Sequence, residues 1–337
     1  MPSLPEIIQN EIPKKRILIV GDIVADQFLR GTIARVSREA PVFILRHEDT
    51  ETMGGGAANA AVNVASLGAE PILVGVIGKD LNGQLLRESL GSSNVSCNRV
   101  VFDRSFTTTT KIRVLAGQHY APRQQVIRID YENEVPISEE IISMLVDGIV
   151  AAAVESDALV LSDYNYGVAN SRIFQACKDS AATHHIPLIL DSRFRLADFA
   201  GATSATPNQE EVEQILGSGF SEEQCESLRE RLDYESLVVT RGNEGMLILE
   251  RGKPPLPIEA VGSKQPIDVT GAGDTVIAVY SLGLACGLSY RDAAELANHA
   301  GGVVVMKKGT SSVTPEELIG SIQREAAYES ESAATRF

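Results

Sequence analysis

Ile267-Asp268-Val269-Thr270-Gly271-Ala272-Gly273-Asp274-Thr275 sets three small residues directly before an apolar run, Val276 to Cys286. That is the layout of a tight loop opening a helix. Backbone N–H groups at such a loop have no intrahelical acceptor, and the helix dipole adds partial positive charge. The natural guest is an anion such as a phosphoryl group. Asp274 is the odd member. A carboxylate beside a phosphate pocket repels the ligand unless it has other work, and taking a proton from an attacking hydroxyl is such work. The plainer account is a capped, buried helix with Asp274 interacting with its own N-terminus.

The string Asp-Val-Thr-Gly-Ala-Gly-Asp-Thr at 268–275 resembles the signature of the ribokinase (PfkB) carbohydrate-kinase family. The resemblance implies a ribokinase-like three-layer α/β/α domain with a mostly parallel central sheet and a small β-sheet lid. It implies phosphorylation of a sugar hydroxyl by ATP with Mg2+. By match, Asp274 is the base, and Gly271, Ala272 and Gly273 form the anion hole. Asp268 is the matching candidate for a monovalent cation site, K+ among them.

The 337 residues can bury a large core, as one big α/β domain or two smaller ones. The reading taken is a single domain over 1–337, with lid segments inserted at about 28–46 and 106–130. A formal net charge of −15 argues against broad binding to nucleic acid or anionic membranes. An anionic sugar phosphate then needs a local basic pocket. Cys97, Cys177, Cys225 and Cys286 include no C-x-x-C pair, which suggests reduced thiols in a cytoplasmic protein. Residues 1–15 lack the apolar core of a secretory signal. The longest apolar uncharged run, Thr275–Tyr290, has 16 residues, against the roughly 20 that a membrane span needs. A buried core helix is the better reading. No internal repeat or low-complexity linker is visible.

Arg16-Ile17-Leu18-Ile19-Val20 reads as a buried parallel strand ending at Gly21-Asp22. Asp22 stands where open α/β sheets bind ligands, although a turn residue is the plainer role. The family places an Asp that grips sugar hydroxyls here. Met53-Gly54-Gly55-Gly56-Ala57-Ala58-Asn59 precedes a helix of small residues closed by Gly68. By family match, Gly55, Gly56 and Asn59 bind the acceptor sugar. Tight packing explains the alanines but not Asn59. This is not a dinucleotide fingerprint, because the strand–G-x-G-x-x-G–helix order is missing. A P-loop is excluded too: neither Gly78-Lys79 nor Gly252-Lys253 is followed by Ser or Thr.

Two β-prone stretches interrupt the α/β pattern. Gly31-Thr32-Ile33 and Pro41 to Leu45 make the first, and 106–130 the second. Alternating apolar and polar residues mark a half-exposed sheet. Arg35 to Val42, Thr110 to Leu115 and Gln124 to Asp130 resemble the heptose-7-phosphate kinase branch. Arg38, Lys111, Arg113, Arg128 and Arg193 are candidates for gripping a sugar phosphate, while a solvated strand face is at least as good an account of Lys111, Arg113 or Arg128. Gly117 to Arg123 is longer than that branch usually shows, and Asp191-Ser192-Arg193 replaces its usual Asp-Pro-Lys. A lid with a free edge and an apolar face is expected to pair with a second copy as a homodimer.

The rest alternates strands and helices. Helices are expected at Ile137–Val154, Ser171–His184 and Ala293–Met306, with a short one after Pro315 and a frayed end from Glu329. Strands are expected at 158–164, 187–191, 237–242 and 245–249, the first ending in a family-like Ser162-Asp163-Tyr164. Thr206 to Glu211 matches the family's Asn-x-x-Glu element, so Asn208 and Glu211 are expected to arrange Mg-ATP; a capped helix start is the plainer account. Thr240 and Gly242 match a segment beside the nucleotide, and Asn298 and Gly309 the adenine side. Some relatives carry a nucleotidyltransferase domain after the kinase, and this chain is expected to end before one. Alternative readings are a kinase for another sugar or nucleoside, and a non-catalytic sugar-binding protein on the same fold. Asp274 speaks against the second.

Overall fold

The computed structural model describes residues 3–117, 123–133, 135–263 and 265–334, with side chains to Ala327. A short helix, α1 (Leu4–Asn10), comes first. It was not read from the sequence, although a Ser3–Glu6 capping box starts it and Ile7 and Ile8 bury its apolar side. Strand β1 (Arg16–Gly21) then enters the core. Ile17 and Ile19 pack on one side of it, Leu18 and Val20 on the other, all fully buried. An uninterrupted apolar run suits a strand covered on both faces.

The chain next leaves the main sheet. β2 (Ile23–Val36) and β3 (Phe43–Gly56) form a long antiparallel ribbon that delivers the chain into α2 (Ala57–Ser66). β4 (Glu70–Gly78), α3 (Leu81–Ser92) and β5 (Val100–Asp103) return to the main sheet. β6 (Thr110–Gly117) and β7 (Gln124–Tyr131) complete the small sheet, whose order is β3-β2-β6-β7. The stretches 28–46 and 106–130 contribute strands to this sheet, which begins already at Ile23 in the first and only at Thr110 in the second. Register shifts at Arg30/Gly31 and Ile33/Arg35 break the alternation, so period-2 reading recovered only pieces of this ribbon. Residues 118–122 of the expected long lid loop lie outside the described residues.

The second half alternates regularly: α4 (Glu139–Ala153), β8 (Ala158–Asp163), α5 (Ser171–His184), β9 (Leu188–Ser192) and β10 (Ser204–Ala205). Then come α6 (Gln209–Leu216), α7 (Glu222–Arg231), β11 (Ser236–Thr240), β12 (Met246–Glu250) and β13 (Leu256–Ile258). The chain closes with α8 (Ala272–Ala285), α9 (Tyr290–Val304) and α10 (Pro315–Ala334). α10 is longer than expected: 329–334 are helical, and only 335–337 of the supposed frayed end lie outside the described residues. The main sheet runs β13-β12-β11-β10-β9-β8-β1-β4-β5, parallel except at β11–β12 and β12–β13. One apolar cluster takes in α2, α8 and α9 on one face, and the other takes in α4 and α5. Among the described residues, no helix is long and apolar enough to cross a membrane.

Ile19 touches the α2–α8 cluster with no exposed surface. Ile19→Ala should therefore cost about 2–5 kcal/mol, read as a lower urea midpoint at unchanged m-value. A loss below about 1 kcal/mol would mean that this sheet face is not closely packed.

Candidate active site

The first turn of α8 is the centre of the site. Gly271 is its N-cap at φ +76°, and a Cβ there would lie 2.5 Å from the Asn59 amide nitrogen. Conformation and space both require glycine. A Cβ at Gly273 would meet nothing within 4 Å, so the turn opens onto free space. The Ala272 N–H is taken by the Val269 carbonyl at 3.2 Å, and the Gly271 and Gly273 N–H groups are the ones that this helix start leaves without an intrahelical acceptor. The next side chain, Asp274, is buried. Asn59 Nδ2 donates to one carboxylate oxygen at 2.8 Å and the Tyr164 hydroxyl to the other at 2.7 Å. Burial raises the Asp274 pKa to about 6, against the lowering effect of these two donors. A carboxylate poised there suits general-base work near neutral pH.

Asp22, expected to grip sugar hydroxyls, has its carboxylate engaged by the backbone. It is buried, and its carboxylate accepts N–H bonds from Tyr164 at 2.9 Å, Tyr166 at 3.0 Å and Val168 at 3.1 Å. Burial lifts its pKa to about 6 in spite of those donors. Its work is to clamp the loop that carries Tyr164. The carboxylate on the lid side is Asp26, which sequence reading missed. Asp26 is buried, packs against Gly55, forms an ion pair with Arg113, and its charge pushes up the Asp274 pKa. The available signal was an acid inside the apolar-flanked run Val24-Ala25-Asp26. Gly56, at φ +57°, lets the chain pass within reach of the Asp22 carbonyl and the Tyr164 ring.

The small sheet presents its cations on one face. Asp26 stands opposite Lys111 and Phe28 opposite Arg113, while Lys111 faces Asp130 and Arg113 faces Arg128 across β6–β7. Lys111 is buried, with its ammonium 5.5 Å from the Tyr164 ring centre and 5.3 Å from that of Tyr166. Burial, then the neighbouring Arg193, lowers its pKa. The Arg193 guanidinium lies 4.8 Å from the Tyr164 ring centre. Lys111 and Arg193 thus meet around Tyr164, whereas Arg113 is engaged by Asp26 and Arg128 by Asp130 at 2.9 Å. Arg38 is exposed beyond the far end of β2. Asp163, also missed, anchors the loop bearing Arg193: it pairs with Arg195 and accepts from Ser192 at 2.7 Å, and its carbonyl accepts the Arg193 N–H at 3.1 Å.

Cavities flank the Gly271–Gly273 turn. One of about 380 Å³ is lined by Thr240, Gly242, Val261, Ala272, Gly273 and Asn298. One of about 970 Å³ lies under the small sheet, lined by Phe28, Arg113, Asp268, Thr270 and Gly309. Asn298 donates to the Glu259 carbonyl at 2.7 Å, holding the wall of the smaller cavity. Asp268 accepts from the N–H of Thr270 at 3.0 Å and of Gly309 at 2.9 Å. Burial works to raise its pKa, but these donors prevail and it is lowered. Asn208 and Glu211 cap α6 reciprocally at 2.8 and 2.9 Å, so the plainer account of that motif is present. Asp191, the third missed acid, has its pKa raised well above normal by burial and then by the Glu211 and Asp274 charges. Carboxylates that disfavour one another's charge gain from a bound cation.

A buried carboxylate at a helix N-terminus, set between these cavities and beside a cation-bearing sheet, suits the transfer of a phosphoryl group to a hydroxyl. Residues 14–317 match the family model described as pfkB family carbohydrate kinase. The chain belongs to that family and is a sugar kinase. It is 37% identical over 325 residues to the bifunctional protein HldE of Pelobacter propionicus, covering 94% of this chain and 65% of that protein. HldE of Aeromonas hydrophila is 38% identical, with 95% and 66% covered. The chain therefore spans just under two thirds of these relatives' length. Among solved structures, Arabidopsis thaliana ribokinase complexed with ribose and ATP aligns with TM-score 0.69 at 20% identity, covering 91% of this chain and 98% of that one. Escherichia coli phosphofructokinase-2 in complex with potassium gives 0.72 at 17%, covering 91% and 97%. At such identities the likeness is one of fold.

Asp274→Asn should lower kcat by about a hundredfold or more, while nucleotide binding changes little. Near-wild-type turnover would remove Asp274 from the chemistry. Wild-type kcat/KM should fall as pH drops through about 6, where the base becomes protonated. The stability sign is opposite to that of a salt-bridged carboxylate. A folded pKa of about 6 against an ordinary 3.8 makes the Asp274 contribution full below 3.8 and lost as pH rises through 6. The Asn variant should thus be at least as stable as wild type at pH 8, checked by thermal melting.

Proposed function

We propose that this kinase uses ATP with Mg2+ to phosphorylate the anomeric hydroxyl of a phosphorylated seven-carbon sugar, D-glycero-D-manno-heptose 7-phosphate or a close analogue. The observation that carries the substrate is the meeting of Lys111 and Arg193 around Tyr164, beside the base. Lys111 is a buried cation among the rings and other cations, which suits an anionic group on the sugar. The heptose-kinase-like strings in the small sheet and the HldE relatives support the same reading.

The residues divide the chemistry as follows. Asp274 takes the proton of the acceptor hydroxyl, and the turn offers the Gly271 and Gly273 N–H groups to the charge that develops on the phosphoryl oxygens, the Ala272 N–H being held by the Val269 carbonyl. Asn59, Gly55, Gly56 and Asp26 stand along the acceptor side, Asp26 being favoured over Asp22 because the Asp22 oxygens are occupied by backbone donors. The smaller cavity, bounded by Thr240, Gly242 and Asn298, fits an adenine beside the helix N-terminus. Asp191, with Asn208 and Glu211 nearby, would supply oxygen donors to a bound Mg2+, which would neutralise phosphate charge there. K+ beside Asp268 would order the loop that joins 268–270 to Gly309. The small sheet closes over the sugar and keeps out water, which otherwise competes for the phosphoryl group. The work fits the cytoplasm, where ATP is at hand.

A homodimer through the lid completes the proposal. β7 is an edge strand exposed along its whole length, and Ile127 and Ile129 stand across from Val114 and Ile112 on the face away from the cations. Such an edge and face favour pairing with a second copy. Sedimentation at micromolar concentration should give a dimer; a monomer overturns this.

A substrate panel with Mg-ATP should give the highest kcat/KM for the heptose phosphate over ribose, fructose and nucleosides. Preference for an unphosphorylated sugar would overturn the substrate assignment. Lys111→Ala or Arg193→Ala should weaken sugar-phosphate binding about tenfold to a hundredfold, the worth of one charge-assisted contact, and leave ATP affinity nearly intact. Equal loss for both substrates would argue for a general structural role.

A further inference from the structure

Beneath the base, four side chains form one hydrogen-bonded line. Asn59 Nδ2 donates to Asp274 at 2.8 Å and to the Gly271 carbonyl at 3.3 Å. Asn63, one helical turn further along α2, donates its Nδ2 to the Asn59 backbone carbonyl at 3.0 Å and to the Asn59 Oδ1 at 3.3 Å. The Thr275 hydroxyl has two acceptors in reach, the Asn63 Oδ1 at 3.0 Å and the Gly271 carbonyl at 3.3 Å, and the shorter contact is to Asn63. Asn59, Asn63 and Thr275 are all buried, so no solvent competes for these bonds.

The directions of the two amides are fixed by their neighbours. A backbone carbonyl only accepts, so the Asn59 carbonyl demands the NH2 edge of Asn63. That edge also meets the Asn59 Oδ1, which leaves the Asn59 NH2 to point at Asp274. The remaining Asn63 oxygen needs a donor, and Thr275 supplies it. Thr275 is the residue after the base, so the line starts at the backbone of α8 and returns to it. If the Asn59 amide turned over, its oxygen would face a carboxylate and lose every partner.

We propose that Asn63 and Thr275 are positioning residues of the phosphoryl transfer: they lock the Asn59 amide so that its NH2 edge always meets the Asp274 carboxylate. The lock keeps one Asp274 oxygen occupied and the carboxylate oriented for the incoming hydroxyl. This rests on the reading of Asp274 as the base.

The test is the pH profile of kcat/KM for the purified full chain with Mg-ATP and its sugar substrate. In Asn63→Leu the acid limb should move up by about one pH unit. Turnover at pH 7 should fall about tenfold, with the KM for ATP unchanged. Thr275→Val, which keeps the side-chain shape but removes the hydroxyl, should move the limb in the same direction. Thr275→Ser should restore the wild-type profile. A loss of folding alone would lower amplitude without moving the limb. If Asn63→Leu does not fold, the Thr275 pair carries the test alone. An unmoved acid limb in folded Asn63→Leu or Thr275→Val overturns the lock while leaving Asp274 as base. Wild-type turnover in Asp274→Asn overturns both.

Discussion

A carboxylate taken out of water at the start of a helix governs this molecule. Desolvation penalises the charged form of Asp274, and that penalty is met by donors rather than by a permanent salt bridge. A lysine or arginine bonded to Asp274 would hold it ionised but pull its pKa far below neutrality, and the base would be too weak to take a proton. Neutral donors, the Asn59 amide and the Tyr164 phenol, orient it without that cost. The cations stay one residue away, on the ring of Tyr164.

Tyr164 thereby joins two parts of the site that must be electrostatically distinct. Its hydroxyl touches the base while its ring stands between the base and the Lys111–Arg193 pair. Holding it there takes two further buried acids. Asp22 gathers three backbone N–H groups of the loop, and Asp163 holds the adjoining loop through Arg195 and Ser192. Neither acid can be replaced by an apolar residue of similar shape without freeing several backbone or guanidinium donors. On a chain with net charge −15, this is where positive charge is concentrated against the overall field.

Much of this was legible in the sequence because the main sheet is covered on both faces. Runs such as Ile17 to Val20 and Leu159 to Leu161 can only be buried strands, and the Gly271–Asp274 turn has one sensible geometry. The small sheet was less legible. Its ribbon carries two register shifts, so alternation fails where it would be most informative. The same cause hid Asp26: the strand-end rule points to Asp22, and only the three-dimensional path shows that Asp22 is consumed by backbone donors. Nor can a sequence tell which lysines and arginines are already partnered. Arg113 and Arg128 read the same as Lys111 and Arg193, yet each of the first two has a carboxylate and the others have aromatic faces.

Connectivity supplies the last constraint. β1 passes through Gly21 and Asp22 into the lid strand β2, and the partner strand β3 ends at Gly56, immediately before α2. Asn59, the donor to Asp274, stands three residues past that end, and Asp26 three residues past the start of β2 at Ile23. The two entry points are themselves joined, since the Ala57 N–H donates to the Asp22 carbonyl at 3.1 Å. No flexible linker separates sheet from site. Asp26 and Gly55 belong to the small sheet, while the α2–α8 contacts hold Asn59 against Asp274. Asp26 and Gly55 thus sit on the small sheet, and Asp274 with its donors Asn59 and Tyr164 on the main body, so the carboxylate is oriented by contacts that the small sheet does not supply.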